Sequence, residues 1–322
     1  LISFIIIGKN EGWKISGCIQ SVKATIRQNQ LKDHEIIYVD SDSIDDSVRR
    51  AVKEGVTVYK ITSKPNAAIA RNIGFKESKG RVLYFIDGDM EIQPGFLPLV
   101  YSEMDGLNYP FVSGQLKNFN YDESGSFINN SWQYKEVLKN DKHFSTTGGI
   151  FLIQRALWEK VGGMDIRFRR GQDLEIALRL SKKGFKILRK KEIIAHHHTI
   201  SYTHKSRLWS TLTSGDISYS NSFLFRKHIL NPMVYPKILK NYYTLFSFFL
   251  FLILSVLVNN WLFMFGYPGV LFLKSVKTGS KNPLRIVELM AFFFIRDFVF
   301  LFMMLYPLKS IDPSRIKYER VN

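Results

Sequence analysis

Apolar and polar positions along the first part of the chain fall into two rhythms that take turns. Residues 2–7 form a short, nearly continuous apolar run, Ile-Ser-Phe-Ile-Ile-Ile, which predicts a buried strand. Between residues 11 and 28 the apolar positions Trp13, Ile15, Ile19, Val22 and Ile26 recur close to helical spacing, so a helix follows. Residues 35–39 return to strand and end on Asp40. Residues 45–54 read as helix, 56–61 as strand, and 66–78 as a helix closed by Lys79-Gly80. Residues 82–86 are the next buried strand; further on, 176–183 reads as helix and 191–195 as strand. Strands alternating with helices predict an α/β fold, a Rossmann-like and mostly parallel sheet with helices on both faces.

Past about residue 240 long apolar stretches replace both rhythms. Residues 242–265 are almost uncharged and rich in Phe and Leu, and residues 287–308 form a second stretch. Each reaches the roughly 20 residues that cross a hydrocarbon core. Asn259-Asn260 and Gly266-Tyr267-Pro268-Gly269 interrupt the first run, which continues to Leu273. Arg226, Lys227, Lys237 and Lys240 precede it, and Lys274, Lys277, Lys281 and Arg285 follow it. Both basic groups favour the cytoplasm, which a re-entrant or two-pass hairpin satisfies. Arg296 and Asp297 lie midway along the last stretch, where charge is costly, so either they pair internally or the segment lies at the interface. The pattern thus divides the chain into a catalytic-type domain, residues 1–230, and a C-terminal membrane-associated helical region, residues 231–322.

The 322 residues suffice for a substantial core, and 45 Lys and Arg against 28 Asp and Glu give a formal charge of +17. Such a balance favours nucleic acid, anionic lipid or a phosphorylated substrate. No nucleic-acid recognition module is visible and much of the charge flanks the apolar stretches, so nucleic acid is set aside and a membrane retained. A single cysteine, Cys18, excludes an internal disulfide framework and a multi-cysteine zinc site; it reads as a buried thiol in a reducing compartment. The opening residues lack a basic leader and a small-residue cleavage site, and read as a strand rather than a signal peptide. There is no internal repeat and no low-complexity segment.

The chemistry gathers where strands end. Strand 82–86 stops on Asp87-Gly88-Asp89, where Gly88 lets the backbone turn so that both carboxylates gather at the C-terminal edge of the sheet, the edge at which open α/β sheets bind ligands. Two close carboxylates repel unless a cation lies between them, and a hard divalent ion also neutralises a nucleotide diphosphate. Asp40-Ser41-Asp42-Ser43 and the loop Gly8-Lys9-Asn10-Glu11 converge on the same edge. The first offers short acceptors for base and ribose hydroxyls, or caps the helix that follows.

In order and spacing these pieces resemble the inverting family-two glycosyltransferases of GT-A fold, over about residues 1–200. Ile5-Ile6-Ile7-Gly8-Lys9-Asn10-Glu11 is similar to the family's opening strand and Asn-Glu turn, and Val39-Asp40-Ser41-Asp42-Ser43-Ile44-Asp45-Asp46-Ser47 to its nucleotide-binding aspartate loop. Ala70-Arg71-Asn72-Ile73-Gly74 resembles its Ala-Arg-Asn-x-Gly helix, and Asp87-Gly88-Asp89 falls at its metal motif. Gly148-Gly149-Ile150-Phe151-Leu152-Ile153-Gln154-Arg155 resembles the acceptor-side glycine strand, and Val161-Gly162-Gly163-Met164-Asp165 the turn before the base. The resemblance implies that Asn10, Glu11, Asp40, Asp42, Arg71 and Asp87 bind the nucleotide and that Asp89 and Asp87 hold Mg²⁺ or Mn²⁺. It also implies that Gly148, Gly149 and Arg170 face the acceptor. Within Arg169-Arg170-Gly171-Gln172-Asp173-Leu174-Glu175 the carboxylate matching the catalytic base is Asp173, with Gln172 replacing the usual first acid; Asp also favours a helix N-cap, and a helix start facing the cleft allows both roles. His196-His197-His198 follows. Strand alternation separates His197 from the other two, and the family's histidine near the metal points to His196 first and His198 second. Arg167, Arg169 and Arg170 suit a phosphate-bearing acceptor, and Trp132 and Tyr134 are aromatics of a kind that stacks on sugar or lipid.

What the resemblance implies is a membrane-attached, metal-dependent transferase moving a sugar from a nucleotide-sugar donor to a lipid-linked or polysaccharide acceptor, with its catalytic domain on the cytoplasmic side of the membrane. The Gln-x-x-Arg-Trp motif of the processive synthases is not found, and Ser206-Arg207-Leu208-Trp209 does not replace it, which favours a single transfer. Two other readings stand beside it: transfer to a free polyprenyl phosphate, and an inactive nucleotide-binding scaffold subunit.

Overall fold

Strand β1 (Ile2–Gly8) carries large apolar side chains on both faces, so it is stable only between two covered faces, and it lies at the middle of the sheet. The computed structural model describes residues 1–134, 137–200, 209, 212, 216–278, 282–306 and 311–322; Lys281 and the segment 206–208 named above lie outside them. β2 (His34–Asp40) and β4 (Val82–Asp87) flank β1, both parallel to it, and β3 (Thr57–Ile61) adds a further parallel strand beyond β2. The crossovers are α1 (Gly12–Gln28), α2 (Ser47–Lys53) and α3 (Ala67–Glu77). Alternation along β1 divides the core: Ile2, Phe4 and Ile6 pack with Ile15, Cys18, Ile19 and Val22 of α1, whereas Ile5 and Ile7 pack with Ala68, Ile69 and Ile73 of α3. Cys18 is a buried free thiol.

The second half mixes directions. β5 (Met90–Ile92) follows the carboxylate turn, and β6 (Tyr101–Ser102) and β7 (Gly106–Leu107) form a small separate hairpin. β8 (Phe111–Tyr121), β9 (Phe127–Trp132), β10 (Lys142–Phe144), β11 (Phe151–Gln154) and β12 (Ile187–Ile200) complete the main sheet, in which β11 lies antiparallel between β4 and β8 while β12 runs parallel to β8. The expected strand at 191–195 is the middle of the longer β12, extended at its C-terminal end by pairing with β8 and β5. α4 (Arg155–Val161) and α5 (Gln172–Lys182) cover this half.

By its contacts the chain separates into two units, Leu1–Thr203 with Ser310–Asn322, and His204–Lys309. The helix Asp216–Lys227, which the sequence reading kept with the first part, falls in the second unit. That unit also holds the helices Tyr235–Leu257, Gly266–Lys277 and Pro283–Leu305, around a core of Tyr267, Leu271, Leu289, Phe292 and Phe293. Among the described residues one apolar segment, Pro232–Leu257, is long and apolar enough to cross a membrane by length and composition.

The segment after residue 310 belongs to the sheet. β13 (Tyr318–Arg320) pairs antiparallel with β3 and covers what would otherwise be an open edge. The pairing is extended by Val321 N donating to Val58 O and by Asn322, whose Oδ1 accepts from Val58 N and whose Nδ2 donates to Val56 O, each at 2.9 Å. Tyr318 donates its hydroxyl to Glu77 Oε1 at 2.6 Å and sets its ring edge-on to Tyr59. Tyr318→Ala is expected to destabilise the sheet-bearing unit by about 2 kcal/mol through the lost ring contact and hydrogen bond, and Tyr318→Phe by roughly half as much, both read from urea unfolding followed by tryptophan fluorescence.

Candidate active site

The site is built where β4 delivers its last residue. Asp87 ends β4, and Arg71, which is only 4% exposed, reaches it from the buried side of α3. One Arg71 Nη donates to Asp87 Oδ1 at 2.5 Å and to Gly149 O at 3.1 Å, so the guanidinium ties the end of β4 to the loop entering β11. A Cβ on Gly149 would collide with Asp87 Oδ2, and the approach exists because the residue is glycine. Burial pushes the Asp87 carboxyl up; Arg71 opposes this and the charge of Asp89 adds to it.

Asp89 has other partners. His197 Nε2 lies 3.2 Å from Asp89 Oδ2, Lys14 Nζ lies 3.8 Å from the same oxygen, and His198 N donates to Asp89 O at 2.8 Å. Burial alone would raise Asp89, but the hydrogen bond and charge of His197, with Lys14, hold it below its ordinary value. His197 is raised in turn, because Asp89 outweighs the burial that disfavours a charged imidazole. Lys14 also pairs with Glu11, whose carboxyl is pushed up to about 7 by burial and by the charge of Asp89.

These contacts correct one expectation. The histidine that reaches Asp89 is His197, not His196 or His198. β12 pairs His196 and His198 with Lys117 and Phe119, which puts both on the opposite face, where His196 packs on Phe119 and His198 hydrogen-bonds the Tyr121 hydroxyl. The alternation was readable in the sequence; which face would meet β4 depended on the pairing of β12 with β8 and β5.

The two polar loops mainly hold each other. Asn10 takes a left-handed conformation (φ 58°); its N–H donates to Ser43 Oγ and its Oδ1 accepts from Ile44 N, while Glu11 N and Gly12 N donate to Ser47 Oγ and Asp45 Oδ2. Asp40 is fully buried and accepts from the Tyr38 hydroxyl and from Ser43 N and Oγ. The β2 turn presents Ser41 to the cleft, with Asp40 buried behind it and Asp42 exposed. The cleft itself, about 450 Å³, is lined by Gly8, Lys9, Glu11, Ser41, Arg71, Asp87, Asp89, Gly149, Gln172 and Asp173, with Pro65, Asn66 and Ala67 at the start of α3. The segment before α3 was missed in the sequence. Its signal was Asn66, which caps α3 through Ile69 N and so sets that helix start at the cleft.

Asp173 lies in the first turn of α5 and faces the cleft; the helix is capped by Gly171 in the left-handed region (φ 74°), so the capping role expected for Asp173 does not occur. Gln172 is buried and donates to Arg169 O. Arg170 is exposed and outside the cleft lining, and Arg167 is paired with Asp165. Gly148 is one residue off the lining, with the buried Tyr134 hydroxyl against it, and Trp132 is exposed on β9.

No group of three His, Cys, Asp or Glu side chains is gathered as a closed metal cage among the described residues. Two donors nevertheless stand together. Asp89 Oδ2 and His197 Nε2 lie 3.2 Å apart, an oxygen and a nitrogen donor of types that a divalent cation accepts once the imidazole is neutral. Mg²⁺-type sites commonly leave their other positions to water and substrate phosphate.

The cleft thus lies at the C-terminal edge of the parallel half-sheet, with Asp173 of α5 on its wall. Residues 3–162 match the glycosyl transferase family 2 profile, and this region is a domain of that family. Glycosyltransferase AglE of Haloferax volcanii is 25% identical over 209 residues, 61% of this chain and 66% of the relative. N-acetylgalactosaminyltransferase 7 of Drosophila melanogaster is 28% identical over 162 residues, 46% of this chain and 24% of the relative. The chain thus spans less than two thirds of either relative. Residues 1–349 of S. aureus TarS superpose with a TM-score of 0.53 at 13% identity, covering 72% of this chain and 66% of that one, which shows a shared GT-A type fold.

Gly149→Ala is expected to separate Arg71 from Asp87, destabilising the sheet-bearing unit by about 1–3 kcal/mol. The check is a thermal melt beside calorimetric nucleotide titration, in which affinity is expected to fall at least about tenfold.

Proposed function

We propose that the chain is a metal-dependent, inverting glycosyltransferase that moves a sugar from a nucleotide-diphosphate donor to a lipid-linked or polysaccharide acceptor in cell-surface glycan synthesis. The observation that carries this reading is the meeting of Arg71, Asp87, Gly149, Asp89 and Asp173 around one cleft, with His197 in contact with Asp89. The donor lies over the C-terminal edge of β1, β2 and β4, with Ser41 and the start of α3 beside the nucleoside. Lys9 and Lys14 supply positive charge near the diphosphate. Asp89 and His197 would hold a divalent cation, which would supply positive charge for the departing diphosphate. Asp173, across the cleft, accepts the proton of the acceptor hydroxyl as that oxygen attacks the sugar carbon; a single displacement inverts the anomeric centre. Gln172 lines the cleft as a neutral neighbour of this base.

The second unit supports a membrane seat for the enzyme. Leu250, Ile253, Val256, Leu257, Phe265 and Leu273 are exposed on it, an apolar surface that water disfavours and acyl chains accept. The basic residues flanking that stretch favour a cytoplasmic catalytic domain.

Calorimetric titration of UDP, GDP, dTDP and CDP with Mn²⁺, repeated in EDTA, tests the reading. One nucleotide is expected to bind with metal and to weaken strongly without it; well-folded protein that binds none would overturn the assignment. With the donor class identified, Asp173→Asn is expected to retain nucleotide affinity and lose about 10²-fold or more in turnover, the usual contribution of a general base. Unchanged turnover in that variant would remove Asp173 from the chemistry.

A further inference from the structure

β8 and β12 continue beyond the cleft and, with the edge strand β9, form a three-stranded blade. Strand alternation and the observed register sort its residues onto two faces. Lys117, Phe119, Tyr121, Trp132, His196 and His198 share one face. Its rings pack on one another and on Trp13: Phe119 lies 4.9 Å from His196, and Tyr121 lies 5.2 Å from Trp13, between ring centroids.

The other face is made of amides and hydroxyls, and it starts at the reaction centre. His197, which contacts Asp89, meets Asn118 Oδ1 through Nδ1 at 3.0 Å, and Asn118 Nδ2 donates to Gln133 Oε1 at 2.9 Å. One rung further out, Asn120 Nδ2 donates to Asn129 Oδ1 at 2.7 Å and to Ser131 Oγ at 3.1 Å. β9 is exposed along its whole length. Edge strands are usually protected by charge, above all by Lys, yet β9 has the sequence Phe-Ile-Asn-Asn-Ser-Trp. A primary amide offers two donors and two acceptor lone pairs, and the bonds described use only part of that capacity.

We propose that this amide face of β8 and β9 is an extended acceptor subsite, which binds a glycan of several sugar units through amide–hydroxyl hydrogen bonds and directs its terminal hydroxyl toward Asp173. The inference rests on the glycosyltransferase reading and deepens it by naming the acceptor as a preformed saccharide chain. Sugar hydroxyls are paired donors and acceptors, which neutral amides match. A bare lipid phosphate requires cations; Lys117, the one lysine of β8 and β9, lies on the aromatic face, whereas the amide face carries Asn118, Asn120, Asn129, Ser131, Gln133, His197 and Thr199.

The test uses the full chain in detergent with Mn²⁺ and the nucleoside diphosphate it binds, applied to an array of immobilised oligosaccharides of graded length and composition. Retention is expected to rise with chain length for at least one sugar series. Asn120→Ala/Asn129→Ala is expected to weaken that binding by about tenfold or more, the loss of two neutral hydrogen-bonding side chains, with nucleotide affinity unchanged. Asn129→Ala alone, at an exposed position of the edge strand, is expected to give a smaller loss in the same direction. Wild-type protein that binds nucleotide but no oligosaccharide overturns the proposal, as does a double variant with wild-type glycan affinity. A wild-type chain that binds no nucleotide strikes the glycosyltransferase reading itself, and the inference falls with it.

Discussion

The organisation of the first unit depends on placing two carboxylates of like charge one residue apart at the end of a buried strand. Asp87 and Asp89 raise the cost of each other's ionisation, and neither is surrounded by water. The fold resolves the conflict by giving each its own cation from a different direction. Arg71 rises from α3 to Asp87, while Lys14 from α1 and His197 from β12 reach Asp89. Those three contacts join helices on opposite faces of the sheet to its parallel and antiparallel halves. The same contacts hold the unit together at this edge, and a diphosphate bound there, as proposed above, would meet charges already fixed in position.

This arrangement also sets what the neighbouring polar residues do. Asp40 looks like a ligand in the sequence because it ends a strand, but a fully buried carboxylate is stable only when its oxygens are satisfied, and Tyr38 and Ser43 satisfy them locally. Its effect on the cleft is indirect: it shapes the turn whose Ser43, Asp45 and Ser47 in turn fix Asn10, Glu11 and Gly12. Arg170, in the short turn before α5, is exposed and does not line the cleft.

Much of the parallel half was legible in the sequence, because β1 to β4 and their helices are set by local periodicity and because Asp87-Gly88-Asp89 marks the strand end unambiguously. The antiparallel half was less so. β12 is long because β8 and β5 pair with it, and β9 exists as an edge strand against β8; both depend on partners distant in sequence. The choice among His196, His197 and His198 depended on that same pairing, since a one-residue change of register exchanges the faces. β13 was invisible for a similar reason: its short polar sequence acquires strand geometry only against β3.

The second unit meets the same electrostatic problem under different constraints. The helix Tyr235–Leu257 departs from helical geometry at Tyr242 (φ −120°, ψ 20°), next to Asn241, whose carbonyl accepts from Lys274 Nζ at 2.7 Å and from Arg296 Nη at 2.5 Å. Asp297, fully buried, pairs with Arg296 and accepts from the Thr244 hydroxyl. The sequence left Arg296 and Asp297 either as an internal pair or as the mark of an interfacial segment, and they form the pair. Leu284, Val287, Phe294, Phe302 and Leu305 of the same helix remain exposed. The unit thus combines an apolar exterior with a paired, carbonyl-lined polar interior, the combination on which the proposed membrane seat rests. The broken helical turn is tolerated because the Asn241 carbonyl is satisfied inside the unit by Lys274 and Arg296.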